Sequence, residues 1–384
     1  MFVLPWDLSG IGGVNIVVSE MCKALSEFSN YKPYVLVLDW NAKRPVFEEK
    51  SYYTEIRFRL REPFTENASA LKSMAAYFFH LPQSLLSLYT IIKKNNISVI
   101  NPHFLELAYS PISNLKVLCK NCFKLVYSTH GSDILNANTE SMVSRFFWRI
   151  LIKPSNTIVA CSQGLAEQTR KTFFNVANVT HIHNGISPEF KQYLNAPNEL
   201  LIGDLKDKKY ILSVGTYEHK KGHDVLIKAF KELIKENREL YLVLVGRTGP
   251  ELNNLKQLIN DLDLSGKVSI VCDVSPENIP VYFKYASIYV SASRYEPFGI
   301  VILEAGVAGL PIIATSTMGA NEIISNNDDG IIVPIDDSLK LGEGLSFYLN
   351  NPRNMVKYGV KMQNKVNTKF SWKSSVKNYL KLVE

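Results

Sequence analysis

Short apolar runs alternate with helical patterns along this chain, and the alternation constrains the fold more than any other feature. In the first half, buried strands are predicted at residues 1–5, 34–39, 98–101, 124–128 and 157–161. Amphipathic segments between them predict helices, including 14–28 and a longer one over 70–95 that breaks at Pro82. This order is typical of a largely parallel sheet covered on both faces.

The pattern begins again after residue 207. Further strands are predicted at residues 209–214, 241–245, 268–271, 288–291, 311–314 and 330–333. Pro188 and Pro197 interrupt the periodicity between the two halves, and a last helical segment covers 372–382. Because 384 residues are also long for one hydrophobic core, we expect two successive α/β modules.

The segment 294–311, RYEPFGIVILEAGVAGLP, carries two carboxylates on either side of a turn. Glu296 precedes the turn, and Glu304 lies inside an apolar helix predicted over 300–308. An ionised carboxylate in such surroundings is costly without a partner, while the N–H groups at a helix start suit an anion such as phosphate. The alternative is a glutamate satisfied by its neighbours beside an ordinary helix entry.

Other candidate residues follow predicted strands, where open parallel sheets bind ligands. The loop SGIGG places Gly12 and Gly13 after the first strand, but Asn15 stands where a dinucleotide fingerprint has its third glycine. A tight turn without a ligand is the alternative. In THGSD, His130 can donate a hydrogen bond to a bound hydroxyl or bond local backbone, and Asp133 can cap the following turn.

A third loop, VGTYEHKKG, contains Lys220 and Lys221 after the first strand of the second module. Lysine is a compact cation that suits a diphosphate leaving group, although lysine pairs also lie on solvated surfaces. No HExxH motif and no His/Cys cluster with metal-ligand spacing is evident in the sequence. We therefore expect no structural metal and no obligatory catalytic one.

Composition bears on the binding partners and the cellular compartment of the protein. The net charge of +7 lies mainly in the first half, but no dense basic stripe interleaved with aromatics indicates nucleic acid. Five scattered cysteines predict a reducing compartment without a disulfide framework, and Cys119 and Cys122 are expected to be incidental. No run of about 18 apolar residues predicts a membrane span, and the N-terminus lacks a signal-peptide pattern. A cytoplasmic protein is expected.

Taken together, these segments resemble the retaining GT-B glycosyltransferases of the group-one type (family four). The motifs that carry the resemblance are SGIGGV, VYSTHGSD, VACS, HNGI, VGTYEHKKG, LVLVG, YEPFGIVILEAGVAGLPIIAT, GANEII and the terminal FSW. The resemblance implies two Rossmann-like domains facing a cleft. We expect an acceptor-binding domain over 1–188, completed by a C-terminal helix over 368–384, and a nucleotide-sugar-binding domain over 189–367.

The resemblance also implies roles for individual residues. His130, Lys221 and Glu296 would be catalytic: they would bond a sugar hydroxyl, neutralise the departing diphosphate and hold the donor sugar. Glu304 would accept hydrogen bonds from the ribose hydroxyls. The remaining donor-binding positions are Gly12, Gly13, Thr216, Lys220, Phe298, Gly299 and Ile300. Thr216 departs from the arginine of many relatives, so Lys220 is a candidate to replace that cation.

The function implied is transfer of a sugar, with retained configuration, from a UDP- or GDP-sugar to a hydroxyl of a glycan or lipid-linked acceptor. Cell-surface polysaccharide synthesis is the expected process. No cofactor is expected, and peripheral contact with the inner membrane surface is an open possibility. Two alternatives remain: a nucleotide-sugar hydrolase or epimerase of the same fold, and a non-catalytic nucleotide-sugar-binding protein.

Overall fold

Two β-sheets organise the chain, and the computed structural model assigns each to its own compact unit. The first unit comprises Met1–His183 and Trp372–Glu384, and the second comprises Asn184–Ser371. The structure describes residues 1–10, 12–64, 69–139, 142–173, 178–195 and 203–383. The two α/β modules predicted from the alternating pattern are confirmed.

In the described part of the chain, eight strands form the sheet of the first unit. They are β1 Phe2–Leu4, β2 Tyr34–Leu38, β3 Val46–Glu49, β4 Thr54–Phe58, β5 Val99–Pro102, β6 Lys124–Thr129, β7 Thr157–Ala160 and β8 Asn178–His181. Their spatial order is β3-β4-β2-β1-β5-β6-β7-β8, with β3 antiparallel to β4 and the other pairs parallel. The helices of this unit are α1 Gly13–Phe28, α2 Ala70–Lys94, α3 Ser110–Leu118, α4 Ser132–Thr139, α5 Met142–Ile152, α6 Gln163–Thr172 and, at the end of the chain, α15 Trp372–Val383.

Among the described residues of the second unit, six parallel strands form its sheet. They are β9 Lys209–Val214, β10 Leu240–Gly246, β11 Val268–Cys272, β12 Ile288–Ser291, β13 Ile312–Thr315 and β14 Ile331–Val333. Their order is β11-β10-β9-β12-β13-β14. The helices are α7 Pro188–Leu194, α8 His223–Leu233, α9 Leu252–Asp261, α10 Ile279–Tyr285, α11 Ile300–Val307, α12 Met318–Ile323, α13 Ser338–Asn350 and α14 Pro352–Lys369.

Burial of the central strands explains why their sequences are apolar on both faces. Val3 and Leu4 of β1 are completely buried, as are Leu242 and Val243 of β10. Because helices cover both faces of a parallel sheet, successive side chains of a strand are buried whichever face they point to. Each such side chain contributes about 1.5–3 kcal/mol relative to an exposed position.

Each sheet contains a point where the order of the strands reverses. In the first unit β1 lies between β2 and β5, and in the second unit β9 lies between β10 and β12. At such a point the loops that follow the two central strands diverge to opposite faces and leave a crevice at the carboxyl edge. The loops after β1, β5, β9 and β12 are therefore the places in which to look for a ligand site.

The boundary between the units differs by a few residues from the expected one. The backbone N–H of Ile186 donates to the carbonyl of Phe370 at 3.2 Å, and α7 packs on α10, so 184–188 belongs to the second unit. The first unit regains the chain at Trp372. There α15 packs on α1, and the hydroxyls of Tyr379 and Ser128 lie 3.0 Å apart.

Three strands of the first unit were not predicted, and one helix break was predicted wrongly. Every residue of β3 is exposed, so its sequence lacks the apolar pattern of a buried strand. β4 is buried except at Arg57, but its apolar pattern is interrupted by the charged Glu55 and Arg57. β8 is likewise partly exposed. The helix α2 continues through Pro82 because buried side chains on both sides, among them Tyr77 and Leu88, anchor it to the core.

The cysteine prediction was also wrong in one respect. Cys119 and Cys122 form a disulfide, with their Cα atoms 5.5 Å apart. The turn after α3 brings them together, since the N–H of Cys122 donates to the carbonyl of Cys119 at 3.1 Å. The other three cysteines, all in the described part of the chain, are not disulfide-bonded: Cys22, Cys161 and Cys272.

Candidate active site

The turn that carries Glu296 depends on a glycine. Gly299 is the N-cap of α11 and has a φ of 92°, in the left-handed region that favours glycine. A Cβ on Gly299 would lie 3.0 Å from Ile302 Cδ1 and 3.3 Å from Glu296 Cγ. The N–H of Gly319 donates to the carbonyl of Glu296 at 3.1 Å. The backbone around Glu296 is thus fixed from both sides, and Phe298 beside it is buried.

A second glycine fastens the lysine loop to the same segment. Gly222 ends the short 3-10 turn His219–Lys221 with a φ of 63°, and a Cβ there would lie 2.0 Å from the carbonyl oxygen of Ala292. The N–H of Arg294 donates to the carbonyl of Lys220 at 2.8 Å. The loops after β9 and β12, which are neighbouring strands, are therefore joined along their backbones.

This joint brings Lys221 and Glu296 together. Lys221 Nζ lies 2.6 Å from Glu296 Oε2, and only 18% and 16% of the two side chains is exposed. The stem of Lys221 passes over Gly215, where a Cβ would lie 3.2 Å from Lys221 Cδ. Reduced solvent screening makes charges at this place more effective than on an open surface. The ammonium has three donors, so it can bind further oxygens beside that of Glu296.

Glu304 lies in α11 as expected, and its carboxylate is short of partners. Its neighbours Leu303 and Ala305 are completely buried, and burial raises the pKa of Glu304 to about 7. Within the described ranges, no donor forms a hydrogen bond to this carboxylate. Burial, and then the negative charges of Glu296 and Glu304, raise the pKa of the buried Tyr289 well above the ordinary value.

Arg294 is a functional candidate that the sequence reasoning did not single out. Its guanidinium binds Asp224 through two bonds of 2.8 Å, Nη1 to Oδ1 and Nη2 to Oδ2. Nε lies 2.6 Å from an oxygen of Asp336, and Nη1 also donates to the carbonyl of His219 at 2.7 Å. A charged residue three positions after the end of the buried strand β12 was the available signal. Arg294, which follows β12, thus holds the loop after β9 in place through its bonds to His219 and Asp224.

Thr216 and Lys220 are near this joint but are not part of the Lys221–Glu296 pair. Thr216 follows β9 and accepts a backbone hydrogen bond from Glu218 at 2.7 Å. Lys220 Nζ pairs with Glu218 Oε2 at 2.5 Å and its side chain is 47% exposed. Lys220 is thus engaged with a neighbour on the outside of the loop, which makes it a poor replacement for an arginine at position 216.

In the first unit, Asn15 holds the glycine loop. It is buried, its Nδ2 donates to the carbonyl of Gly10 at 2.6 Å, and it accepts from Trp6 Nε1 at 2.7 Å. The residue that breaks the dinucleotide fingerprint thus closes the turn. A Cβ added to Gly12 or Gly13 would meet no described atom within 4 Å, so the glycines leave open space at the start of α1.

His130 follows β6, and Asp133 fixes its backbone. The carboxylate of Asp133 accepts hydrogen bonds from the N–H groups of His130 at 3.2 Å, Gly131 at 2.8 Å and Ile134 at 3.0 Å. Burial raises the pKa of Asp133 to about 6. The His130 ring lies nearly parallel to that of Phe104, with centroids 6.0 Å apart, and burial lowers its pKa to about 4.

Two further side chains behind His130 were missed from the sequence. His103 Nδ1 lies 2.9 Å from His130 Nε2, and His103 Nε2 lies 3.2 Å from Asn101 Oδ1. Both residues come from the end of β5, which pairs with β6. A histidine after a buried strand was the only signal, and its meaning depends on which strand lies beside it.

Within the described ranges, no group of three His, Cys, Asp or Glu side chains lies close enough together to hold a metal ion. None of the described helices is long and apolar enough to cross a membrane.

Two family models match successive parts of the chain. A model described as Glycosyltransferase Family 4 matches residues 11–190, and one described as Glycosyl transferases group 1 matches residues 202–365. An uncharacterized glycosyltransferase of Methanocaldococcus jannaschii is 24% identical over 382 residues, covering 97% of this chain and 95% of the relative.

Solved structures share the fold. Sucrose-phosphate synthase from Thermosynechococcus elongatus has a TM-score of 0.75 at 19% identity, covering 99% of this chain and 97% of that one. Anabaena HepE in complex with UDP has a TM-score of 0.75 at 16% identity, with 99% and 98% covered. The two domain matches together extend over most of the chain, and with this fold they support a GT-B glycosyltransferase.

Proposed function

We propose that the protein is a retaining glycosyltransferase that moves a sugar from a nucleoside-diphosphate sugar, a UDP- or GDP-sugar, to a hydroxyl of a glycan or lipid-linked acceptor. The observation that carries the proposal is the shielded Lys221–Glu296 pair, 2.6 Å apart. The carboxylate of Glu304, to which no described group donates a hydrogen bond, lies on the adjoining helix α11. A cation and two acids beside the point where the strand order of a parallel sheet reverses suit a ligand that combines diphosphate with hydroxyl groups.

In the proposed complex, the second unit binds the donor. Glu304 accepts hydrogen bonds from the two ribose hydroxyls, which supply the donors its carboxylate lacks. Glu296 holds the sugar, and the N–H groups of Phe298, Gly299 and Ile300 at the start of α11 surround the diphosphate. Support for a nucleoside diphosphate comes from the solved HepE structure, whose ligand is UDP.

The proposed reaction exchanges one bond at the anomeric carbon for another. The bond from this carbon to the phosphate oxygen breaks, and a bond to the acceptor oxygen forms on the same face, so the configuration is retained. The leaving phosphate receives the acceptor proton. Lys221 stabilises the charge that develops on the phosphate, and His130 bonds a sugar hydroxyl. The protein supplies neither a nucleophile nor a cofactor in this scheme.

The proposed setting is cell-surface polysaccharide synthesis in the cytoplasm, with peripheral contact to the inner membrane surface. Exposed apolar side chains on α2 support the contact: Leu71, Phe78, Phe79 and Leu86 are 60% to 83% exposed. Apolar side chains at the headgroup level favour interfacial binding. Sedimentation with anionic vesicles tests it, and a Phe78→Ser, Phe79→Ser variant that sediments like the wild type would argue against this surface.

A panel of UDP-, GDP- and ADP-sugars with candidate acceptors, followed by mass spectrometry of the products, tests the main proposal. We expect one donor to release its nucleotide and to yield a glycoside with unchanged anomeric configuration by NMR. Nucleotide release without an acceptor would instead favour a hydrolase or epimerase. Calorimetric binding without any turnover would favour a non-catalytic binding protein.

A further inference from the structure

The side-chain amide of Asn101 is oriented by its surroundings. Asn101 is buried, and one arm of its amide lies 2.7 Å from the backbone carbonyl of Val126 and 2.9 Å from Ser128 Oγ. A carbonyl oxygen only accepts hydrogen bonds, so this arm must be the NH₂ group. The other arm is therefore the oxygen Oδ1, which can accept and cannot donate.

This orientation determines where His103 carries its proton. His103 Nε2 lies 3.2 Å from Asn101 Oδ1, so Nε2 must hold the hydrogen. His103 is completely buried, and burial, with His130 adding to the effect, lowers its pKa well below the ordinary value. A neutral imidazole has one N–H. His103 Nδ1 is therefore an acceptor.

The same reasoning extends one residue further. His103 Nδ1 lies 2.9 Å from His130 Nε2, so the hydrogen of this contact belongs to His130 Nε2. Burial lowers the pKa of His130 to about 4, so the ring is neutral at neutral pH and its Nδ1 has no hydrogen. In the described part of the chain, no group bonds His130 Nδ1, although the residue is partly exposed.

We infer that Asn101 and His103 are positioning residues that lock His130 in its Nε2–H tautomer, so that Nδ1 accepts a hydrogen bond from a substrate hydroxyl. The role in substrate binding rests on the function proposed above, whereas the tautomer does not. This assignment replaces the donor role expected for His130 from the sequence. It also sets a requirement on the substrate, which must present a hydroxyl hydrogen at this position and not merely an acceptor atom.

The tautomer can be read directly by NMR of the ligand-free protein labelled with ¹⁵N-histidine. The signals of His130 are identified by their loss in His130→Asn, and long-range ¹H–¹⁵N couplings show which ring nitrogen is protonated. We expect a protonated Nε2 and a bare Nδ1. A protonated Nδ1 in the wild type would overturn the inference, whatever the activity of the enzyme.

Two variants of similar size isolate the acceptor on His103. In His103→Asn the amide oxygen stands near the former Nδ1 and keeps an acceptor for His130, whereas His103→Leu removes it. Both lose the contact with Asn101, so cavity and folding effects are matched. We expect the Nε2–H tautomer to persist with asparagine and to give way to a mixture with leucine. If both variants fold and show the same tautomer of His130, His103 does not determine that tautomer and the inference is contradicted.

Kinetics with the donor found in the panel complete the test. We expect kcat/KM to be about tenfold lower for His103→Leu than for His103→Asn, since a mixed tautomer weakens one hydrogen bond to the substrate. Equal kcat/KM values would overturn the positioning role. If no donor is turned over by the wild type, the proposed function fails, while the NMR result still decides the tautomer.

Discussion

Lys221 Nζ and Glu296 Oε2 lie 2.6 Å apart although 75 positions separate the two residues in the sequence. The pair exists because β9 and β12 are neighbours in the sheet, and because backbone hydrogen bonds join the loops that follow them. A bound diphosphate would find the ammonium already in place, so little side-chain ordering would remain to oppose binding.

Lys221→Ala is expected to lower kcat by about a hundredfold or more, with a smaller change in the KM of the donor. The lysine acts on charge that appears as the phosphate leaves, so its loss affects the transition state more than the bound donor. Steady-state kinetics measure this. Lys235→Ala is the control, since that lysine is exposed and paired with Glu232. A Lys221→Ala enzyme with the kcat of this control would remove the assignment.

Glu304 is expected to give donor binding a pH dependence. Its pKa of about 7 means that the carboxylate becomes charged, and a stronger acceptor for hydroxyl groups, as the pH rises from 6 to 8. The donor Kd should fall over this range in the wild type and stay flatter in Glu304→Gln. Calorimetry at several pH values measures the difference. Parallel curves for both proteins would exclude ribose binding by the ionised acid.

The same group affects stability with a defined sign. The folded pKa is raised from 4.5 to about 7, so between these values the folded state keeps a proton that the unfolded state releases. Rising pH therefore destabilises the fold in this window, by on the order of 1 to 3 kcal/mol. Glu304→Gln should lack this contribution, and its Tm relative to the wild type should increase from pH 5 to pH 8. A constant Tm difference would contradict the shifted pKa.

Gly13→Ala is expected to separate stability from activity. No described atom lies within 4 Å of the new Cβ, and alanine favours the helix α1, so stability should increase by about 0.5–1 kcal/mol. If a ligand approaches this glycine, kcat/KM should fall by about tenfold because the methyl group occupies its path. Gly342→Ala in α13, where the nearest atom is 4.0 Å away, should stabilise the protein without loss of activity. Full activity in both variants would dismiss Gly13 from the site.

Arg294→Lys is expected to destabilise the second unit by about 1–3 kcal/mol, since an ammonium cannot replace the two parallel bonds to Asp224. Catalysis should fall as well, because the joint that holds Lys221 near Glu296 loosens. A double-mutant cycle with Asp224→Asn, followed by thermal unfolding and kcat/KM, measures the coupling. Purely additive effects would mean that the pair is not a unit.

Strands with continuous apolar sequence, such as β1 and β10, were predictable because burial on both faces dictates their composition. β3 was not predictable, since an exposed edge strand carries no apolar pattern. In the site, Lys221, Glu296 and Glu304 were recognised one by one. Their association depends on the pairing of β12 with β9, and not with β11, which precedes β12 in the sequence. His103 looked like an ordinary strand end, because only the adjacency of β5 and β6 places it behind His130.

The helix α15 has a consequence for how the protein is made. The hydroxyl of Tyr379 lies 3.0 Å from that of Ser128, which accepts a hydrogen bond from the amide of Asn101. The last helix therefore packs against the sheet of the first unit. A ribosome must translate all of 184–371 before that support emerges. The N-terminal sheet therefore lacks one of its covering helices while the second unit is synthesised. The apolar surface exposed during this interval is a binding site for chaperones.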